Sequence, residues 1–257
     1  MSKMRHLVIR DPAEPGMLVR AYAVTHPAGL GFGERSYVGW DQLAYASRGV
    51  MSVVTSTGTY VAPPHRAVWI PAGEPHAVQM SGRVTLRTLF FRRGLAKLPR
   101  ECRAITVSPL LRELVLEAAR TGILRRSPAR QQRLAQVLID QLQVLPVVAL
   151  QLPMPRDARA RKAAALIQEE PGASLPSVAR RAAASKRTLE RLFAVETAMS
   201  LGRWRQRVRL IEALRLLAQD HAVTEVALDV GYKSPSAFVS AFRKELGTTP
   251  KRYFAGA

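Results

Sequence analysis

The chain has 257 residues, with 39 Lys and Arg against 19 Asp and Glu and a formal net charge of +20. Its length suits two domains, since a domain usually holds ~100–200 residues. A hydrophobic share of 47% is enough to bury real cores, which excludes disorder as the main state. The single cysteine, Cys102, excludes an intramolecular disulfide and favours a reducing compartment.

No run in the sequence reaches the ~20 apolar residues that a membrane helix needs. The nearest run, residues 144–152, is interrupted by Pro146 and Gln151. The apolar patch in the first ten residues is too short for a signal peptide. We therefore expect a soluble, cytoplasmic protein without a membrane partner.

The positive charge favours a polyanionic partner such as nucleic acid. The excess is spread along the chain, because residues 156–257 carry 19 basic against 10 acidic side chains and residues 1–155 carry 20 against 9. Charge alone therefore does not say which half binds.

The first hundred residues have the pattern of short strands. Val50–Thr55, a turn at 56–58 and Thr59–Ala62 predict a hairpin. Ala67–Ile70 and Val84–Phe91 predict two further strands. Closely spaced short strands are typical of a small barrel or sandwich.

A helical period follows. Apolar spacing predicts amphipathic helices at about 108–122 and 128–145, with Ser108-Pro109 and Ser127-Pro128 as cap and first residue. These helices form either a dimer interface or a layer packed on the strands, and we favour the dimer interface. Three prolines, Pro146, Pro153 and Pro155, predict a linker, and the chain is helical in pattern from about Arg159 onward.

The last 80 residues contain a weak repeat with an offset of about 49. It relates Phe193 to Phe242 and Ser185 to Ser234. Two copies are fewer than a solenoid usually has, so the pattern inside each copy is more informative. A short helix, a tight turn and a serine-capped second helix indicate a helix-turn-helix.

The second helix of each copy has an inner and an outer face. Leu189, Leu192 and Phe193 are predicted to point inward, which leaves a long-chained, mostly basic outer face suited to a major groove. A helix over Leu201–Ala218 would span about 27 Å at ~1.5 Å per residue. That length suits two successive major grooves on one face of B-DNA, ~34 Å apart.

The stretch from Val223 to Tyr253 resembles the C-terminal signature of AraC/XylS-type transcriptional regulators. Ser185–Phe193 and Trp204–Leu217 resemble the first helix-turn-helix and the linker helix of that family, so the resemblance covers about 160–254. It implies a tandem helix-turn-helix domain that binds double-stranded promoter DNA, with RNA polymerase as a further partner.

The resemblance also implies which side chains face DNA, namely Arg187, Glu190 and Arg191 in the first unit and Pro235, Ser236, Val239 and Ser240 in the second. The pattern of the capped helices and their charge adds Ser185, Lys186, Lys233, Ser234, Arg243 and Lys244 to the predicted DNA-binding residues. We expect the first unit to read bases and the second to contact phosphates through Lys233, Arg243 and Lys244. The alternative for each residue is a solvated helix face. Ala183 and Ala198 stand where the family usually has glycine, and left-handed backbone there would cost roughly 1 kcal/mol each.

Residues 63–78 are similar to the second motif of cupin barrels, with Pro71, Gly73 and His76 at the motif positions. The earlier His-x-His pair of metal-binding cupins falls on Ser36 and Val38, so we expect neither a metal nor another cofactor. We expect instead an effector pocket, and the alternative is that its aromatic members are core and its histidines lie in loops. The candidate lining residues are Trp40, Tyr45, His65, Trp69, His76 and Arg87.

The sequence thus predicts an α+β multidomain protein and no enzyme. Its parts are a cupin-like β-barrel sensor over 1–106, a helical dimerisation and linker segment over 107–155, and an all-α tandem helix-turn-helix domain over 156–257. The predicted function is a sequence-specific transcriptional regulator, acting as a homodimer, whose barrel senses a small molecule. The alternatives are a metal-independent cupin enzyme and a non-specific architectural DNA-binding protein.

Overall fold

The computed structural model describes residues 14–95, 98, 100–144 and 151–255. Its N-terminal part is an antiparallel sheet and its C-terminal part is helical. The strands are β1 Met17–His26, β2 Gly31–Arg35, β3 Trp40–Thr55, β4 Gly58–Ala62, β5 Arg66–Ile70, β6 His76–Arg92, β7 Arg103–Thr106, β8 Ile123–Arg125 and β9 Gln151–Pro153.

The two long strands, β3 and β6, form the centre of the sheet. They pair from Trp40 opposite Arg92 to Val54 opposite Ala77, with irregular register beside Arg48. At this irregularity Gly49 has φ +79°, and an added Cβ would lie 2.5 Å from the Arg83 carbonyl oxygen, so the bend requires glycine.

The predicted strands are present. The hairpin is confirmed, with β3 pairing to β4 from Met51 opposite Ala62 to Thr55 opposite Gly58. The strand predicted at 84–91 begins earlier, at His76, because its alternating burial continues through the irregular region. The short strand β8, which pairs with β1, was not predicted.

Two helices, α1 Pro109–Thr121 and α2 Ala129–Val144, cover one side of the sheet. Ser108 caps α1 as predicted, since its Oγ accepts a hydrogen bond from the Leu111 amide at 3.1 Å. α2 begins one residue after the predicted Pro128. The buried faces of both helices share a core with the sheet, which includes Leu111, Val115, Leu138, Tyr45 and Trp69. The buried faces of α1 and α2 therefore form a layer packed on the strands, one of the two arrangements expected from the sequence.

Only part of the predicted linker lies within the described residues, because Pro146 is outside them. Residues 1–13 are outside them as well. Pro153 is not in a linker: it ends β9, which pairs with β4 through Pro153 opposite Gly58. Proline has no N–H, and a strand at a sheet edge tolerates that loss.

The C-terminal part has helices at α3 Ala158–Glu169, α4 Leu175–Arg181, α5 Lys186–Thr197, α6 Leu201–Leu217, α7 Val223–Asp229, α8 Pro235–Leu246 and α9 Pro250–Ala255. Trp204, Phe193, Phe238 and Phe242 are almost completely buried in their common core. Val50 and Val61 of the sheet belong to the same cluster, so the two parts of the chain pack together. Within the described part of the chain, no helix is long and apolar enough to cross a membrane.

Candidate nucleic-acid interface and ligand cavity

The first helix-turn-helix unit consists of α4, a turn and α5. Ala183 in the turn has φ 51° and Ala198 after α5 has φ 53°, so both are left-handed, at a cost of roughly 1 kcal/mol each. Ser185 caps α5, and its Oγ accepts a hydrogen bond from the Thr188 amide at 3.0 Å. This cap and turn fix the direction in which α5 leaves α4.

α5 has the predicted two faces. Leu189, Leu192 and Phe193 are buried, and the Phe193 ring lies 5.1 Å from that of Trp204. The opposite face is exposed and consists of Lys186, Arg187, Glu190 and Arg191, with Ser185 exposed at its start.

The charges on this face are arranged unequally. Lys186 pairs with Glu190 at 3.6 Å, one helical turn away. Among the described residues, Arg187 and Arg191 have no carboxylate partner within ion-pair distance. Their guanidinium groups carry several N–H donors and suit phosphate oxygens or the O6 and N7 acceptors of guanine.

The second unit consists of α7, a turn and α8. Gly231 in the turn has φ +83°, and an added Cβ would lie 2.8 Å from the Gly172 Cα, so both backbone freedom and space require glycine. Ser234 caps α8 by accepting a hydrogen bond from the Ala237 amide at 3.3 Å. Phe238 and Phe242 are buried beneath the helix.

The outer face of α8 is narrower than predicted. Lys233, Ser236, Ser240, Arg243 and Lys244 are exposed. Ser234 and Pro235 are half-buried, and half-buried Val239 packs against the core. The exposed set combines short polar side chains with three cations.

The helix between the units, α6, has 17 residues and so spans about 25 Å at ~1.5 Å per residue. Two of its basic residues serve the fold. Arg205 donates a hydrogen bond to the Gly172 carbonyl at 3.2 Å, and Arg209 donates to the Pro171 carbonyl at 3.0 Å and lies 5.6 Å from the centre of the Tyr232 ring. Part of the net positive charge therefore holds the protein together.

A cavity of about 40 Å³ lies within the sheet. Alternate residues of β3 and β6 point into it because successive side chains of a strand face opposite sides. Its lining residues are Phe32, Arg35, Tyr37, Gln42, Ala44, Met51, His76, Val78, Leu86, Thr88 and Phe90.

Three buried side chains on this wall carry polar atoms without a hydrogen-bond partner among the described residues: Gln42 Oε1, His76 Nε2 and Thr88 Oγ1. Each of the three residues is at most 7% exposed. Buried polar atoms are normally paired, so these three leave hydrogen-bonding capacity at the cavity that the described residues do not satisfy.

Of the six predicted pocket residues, only His76 lines the cavity. Trp40, Tyr45 and Trp69 are core residues, and Tyr45 and Trp69 pack toward α1 and α2. Arg87 pairs with Tyr45, and both side chains lie on the same side of the sheet. The next residue, Thr88, faces the other side, where the cavity lies. His65 contacts the C-terminal part instead, where its Nε2 lies 3.1 Å from the Tyr253 carbonyl.

Sequence reasoning missed Gln42, Thr88, Tyr37 and Phe90. The period-two alternation offered a usable signal, because His76, Leu86, Thr88 and Phe90 all occupy even positions of β6. Size and aromatic character pointed to the tryptophans, but these properties equally suit a core.

Cys102 is buried, and burial raises the pKa of its thiol to about 12, so the reactive thiolate is disfavoured. No cluster of three His, Cys, Asp or Glu side chains suited to a metal ion occurs within the described ranges.

Two serine-capped helices with exposed basic faces, each braced by a shorter helix, define a DNA-binding protein of the tandem helix-turn-helix class. The family model described as a helix-turn-helix domain matches residues 178–256. The HTH-type transcriptional regulator NimR of Escherichia coli K12 is 36% identical over 216 residues, which cover 83% of this chain and 79% of NimR. The chain belongs to the AraC family of helix-turn-helix transcription regulators.

Other similarities concern the C-terminal part. The regulatory protein SoxS of Salmonella typhimurium is 36% identical over 77 residues, covering 30% of this chain and 72% of SoxS. The solved DNA-binding domain of AdpA, in complex with a target DNA, is 34% identical and covers 39% of this chain and 93% of that one, with a TM-score of 0.36.

Proposed function

We propose that this AraC-family regulator reads base sequence with α5 and holds the DNA backbone with α8. The observation that carries the proposal is the exposed face of α5, where Arg187 and Arg191 stand opposite a buried apolar face. Long cationic side chains reach base edges in a major groove, whereas Ser236 and Ser240 on α8 are too short to do so at the same depth. Lys233, Arg243 and Lys244 suit phosphates.

A mobility-shift titration tests this proposal. Full-length protein is titrated with DNA from the promoter of its own gene and with random-sequence DNA of equal length, at several salt concentrations. We expect tighter binding to promoter DNA at moderate salt, with affinity for random DNA falling steeply as salt rises. Equal affinity for both DNAs at every salt concentration would instead indicate the architectural, non-specific function.

We further propose that the sheet is a cupin-like barrel that binds a small-molecule effector in its cavity. The bends of β3 and β6 and the unpaired polar atoms of Gln42, His76 and Thr88 support this assignment. The proposed division has a sensor over 1–106, a helical segment over 107–155 that packs on the sensor through the core shared by α1, α2 and the sheet, and a DNA-binding domain over 156–257. The shared core of the sheet and α6 would couple effector and DNA binding, and such coupling acts reciprocally.

The proposed assembly is a homodimer formed through the outer faces of α1 and α2, acting in the cytoplasm on promoter DNA and RNA polymerase. Leu110 on α1 is 53% exposed and Val137 on α2 is 40% exposed, which supports an apolar contact there. Light scattering after gel filtration should give twice the chain mass, and a Leu110→Glu, Val137→Glu double variant should give a monomer. A wild-type monomer at micromolar concentration would contradict this assembly.

A further inference from the structure

The buried polar atoms without a partner that face the sheet cavity are, among the described residues, mainly hydrogen-bond acceptors. His76 shows this most clearly, because its Nδ1 lies 2.9 Å from the Glu74 carbonyl oxygen. A carbonyl oxygen can only accept, so Nδ1 carries the proton in the neutral ring. Burial lowers the pKa of His76, which keeps the ring neutral. Its Nε2 therefore presents a lone pair with no partner among the described residues.

Two further groups that line the same cavity carry polar atoms left unpaired by the described residues. Gln42 presents Oε1, again an acceptor, and Thr88 presents a hydroxyl that can donate or accept. Thr88 stands opposite Ala44 in the β3–β6 register, two residues along β3 from Gln42. The small Ala44 side chain leaves room beside them.

The remaining wall is apolar and largely aromatic. It includes Phe32, Tyr37 and Phe90. The first two are half-buried, whereas Phe90 is fully buried. The side chain of Arg35 is partly engaged, since its guanidinium lies 4.5 Å from the centre of the Phe32 ring and its Nε donates to the Gly33 carbonyl at 3.4 Å, whereas its two terminal NH2 groups find no acceptor among the described residues and remain free to donate. A flat apolar group too large for the cavity can lie against the half-buried rings of Phe32 and Tyr37 at its exposed side.

The size of the whole cavity, its aromatic part included, limits what enters it. One water needs roughly 10–15 Å³ of such space, so about 40 Å³ accommodates a head group of about three non-hydrogen atoms.

Building on the proposed effector site, we infer that the cavity takes an uncharged head group with at least two N–H or O–H donors, carried on a flat apolar body. Such a group donates to His76 Nε2 and Gln42 Oε1 and satisfies both. A carboxylate head group would place its oxygens against these acceptors, and a ketone would leave them unpaired.

Three compounds of nearly equal size and shape separate these cases. Benzamide is neutral and has two donors, acetophenone is neutral and has none, and benzoate is an anion without donors. The full-length, ¹⁵N-histidine-labelled protein is titrated with each at millimolar concentration, while the Nε2 resonance of His76 is followed. We expect benzamide to shift that resonance without protonating the ring. We also expect benzamide to bind about tenfold more tightly than the other two compounds, because these leave buried polar groups without a hydrogen-bond partner.

Near-isosteric variants show which atoms are responsible. Gln42→Leu is expected to weaken benzamide binding about tenfold while leaving acetophenone binding unchanged. The same titration of the Thr25→Val variant serves as the control, because Thr25 lies on β1 outside the cavity lining.

The outcomes separate this inference from the effector site on which it rests. If all three compounds shift His76 with equal affinity, the cavity is a ligand site but the requirement for donors is wrong. If benzoate binds most tightly, Arg35 governs an anion site and the inference is likewise wrong. If none of the three disturbs His76, both the inference and the proposed effector site are contradicted.

Discussion

His65 and Tyr253 join the sheet to the second DNA-binding unit. The His65 Nε2–H donates a hydrogen bond to the Tyr253 carbonyl oxygen at 3.1 Å, and the two rings meet edge to face with their centres 5.3 Å apart. The Tyr253 ring in turn lies 5.6 Å from that of Phe242, on the buried side of α8. A short chain of contacts thus runs from the start of β5 to the helix proposed to hold the DNA backbone.

Replacing His65 by alanine should therefore destabilise the protein. The variant loses one partly buried hydrogen bond and one aromatic contact, for an expected cost of about 1–2 kcal/mol in the free energy of unfolding. Thermal unfolding monitored by circular dichroism measures the change. His221→Ala, at an exposed histidine of the C-terminal part, is the matched control and should have little effect. Equal stability of the two variants would mean that the His65 contact contributes nothing.

A substitution of Ala198, the residue with left-handed backbone after α5, should instead stabilise the protein. Ala198→Gly should raise the free energy of unfolding by about 0.5–1 kcal/mol, because glycine adopts φ 53° without steric cost and this gain exceeds the added flexibility of the unfolded chain. Ala194→Gly, at an exposed position inside the same helix, should lower it by a similar amount. Chemical denaturation distinguishes them, and a loss of stability in both variants would show that residue 198 carries no strain.

The unpaired hydroxyl in the sheet cavity predicts a stabilising substitution. Thr88→Val removes a buried polar atom without a partner, so we expect the melting temperature to stay unchanged or to rise. Thr197→Val is the control, because the buried Thr197 Oγ1 donates to the Phe193 carbonyl at 2.7 Å and its loss should cost about 1 kcal/mol. A larger loss for Thr88→Val than for Thr197→Val would mean that the Thr88 hydroxyl serves the fold and not a ligand.

The roles proposed for α5 and α8 predict two different binding defects. Arg187→Ala should relax the preference at one base pair by about 1–3 kcal/mol, whereas Lys244→Ala should weaken binding to all sequences alike and reduce the salt slope by about one. Binding to a panel of single-base variants of the target site measures both effects. Arg120→Ala, on α1 of the sheet-bearing part, should change neither. An equal loss for Arg187→Ala on specific and random DNA would make Arg187 a phosphate contact.

The helical part of the fold could be predicted closely from the sequence because its signals are local. Serine caps at Ser185 and Ser234 and the apolar spacing of Leu189 and Phe193 act within one or two turns of helix, and each appears in the structure as predicted. The second helix-turn-helix is the clearest case, because cap, first-turn proline and left-handed glycine coincide there.

The sheet was less predictable because its pairing is non-local. Nothing within residues 123–125 or 151–153 marks them as strands, and they become strands only because β1 and β4 offer free edges. The cavity depends on which side of the sheet each residue faces. A shift of one residue in the β3–β6 register would turn Arg87 instead of Thr88 toward the cavity. That register is set by the irregularities near Arg48.

Hydroxyl-radical footprinting of the full-length protein on the DNA site that it prefers in the mobility-shift titration shows whether α5 and α8 enter neighbouring major grooves on one face of the duplex. We expect two protected segments centred about 10 base pairs apart on the same face, with protection at the segment nearer α5 lost in the Arg187→Ala, Arg191→Ala double variant. One protected segment alone, or two segments on opposite faces of the duplex, would contradict this arrangement.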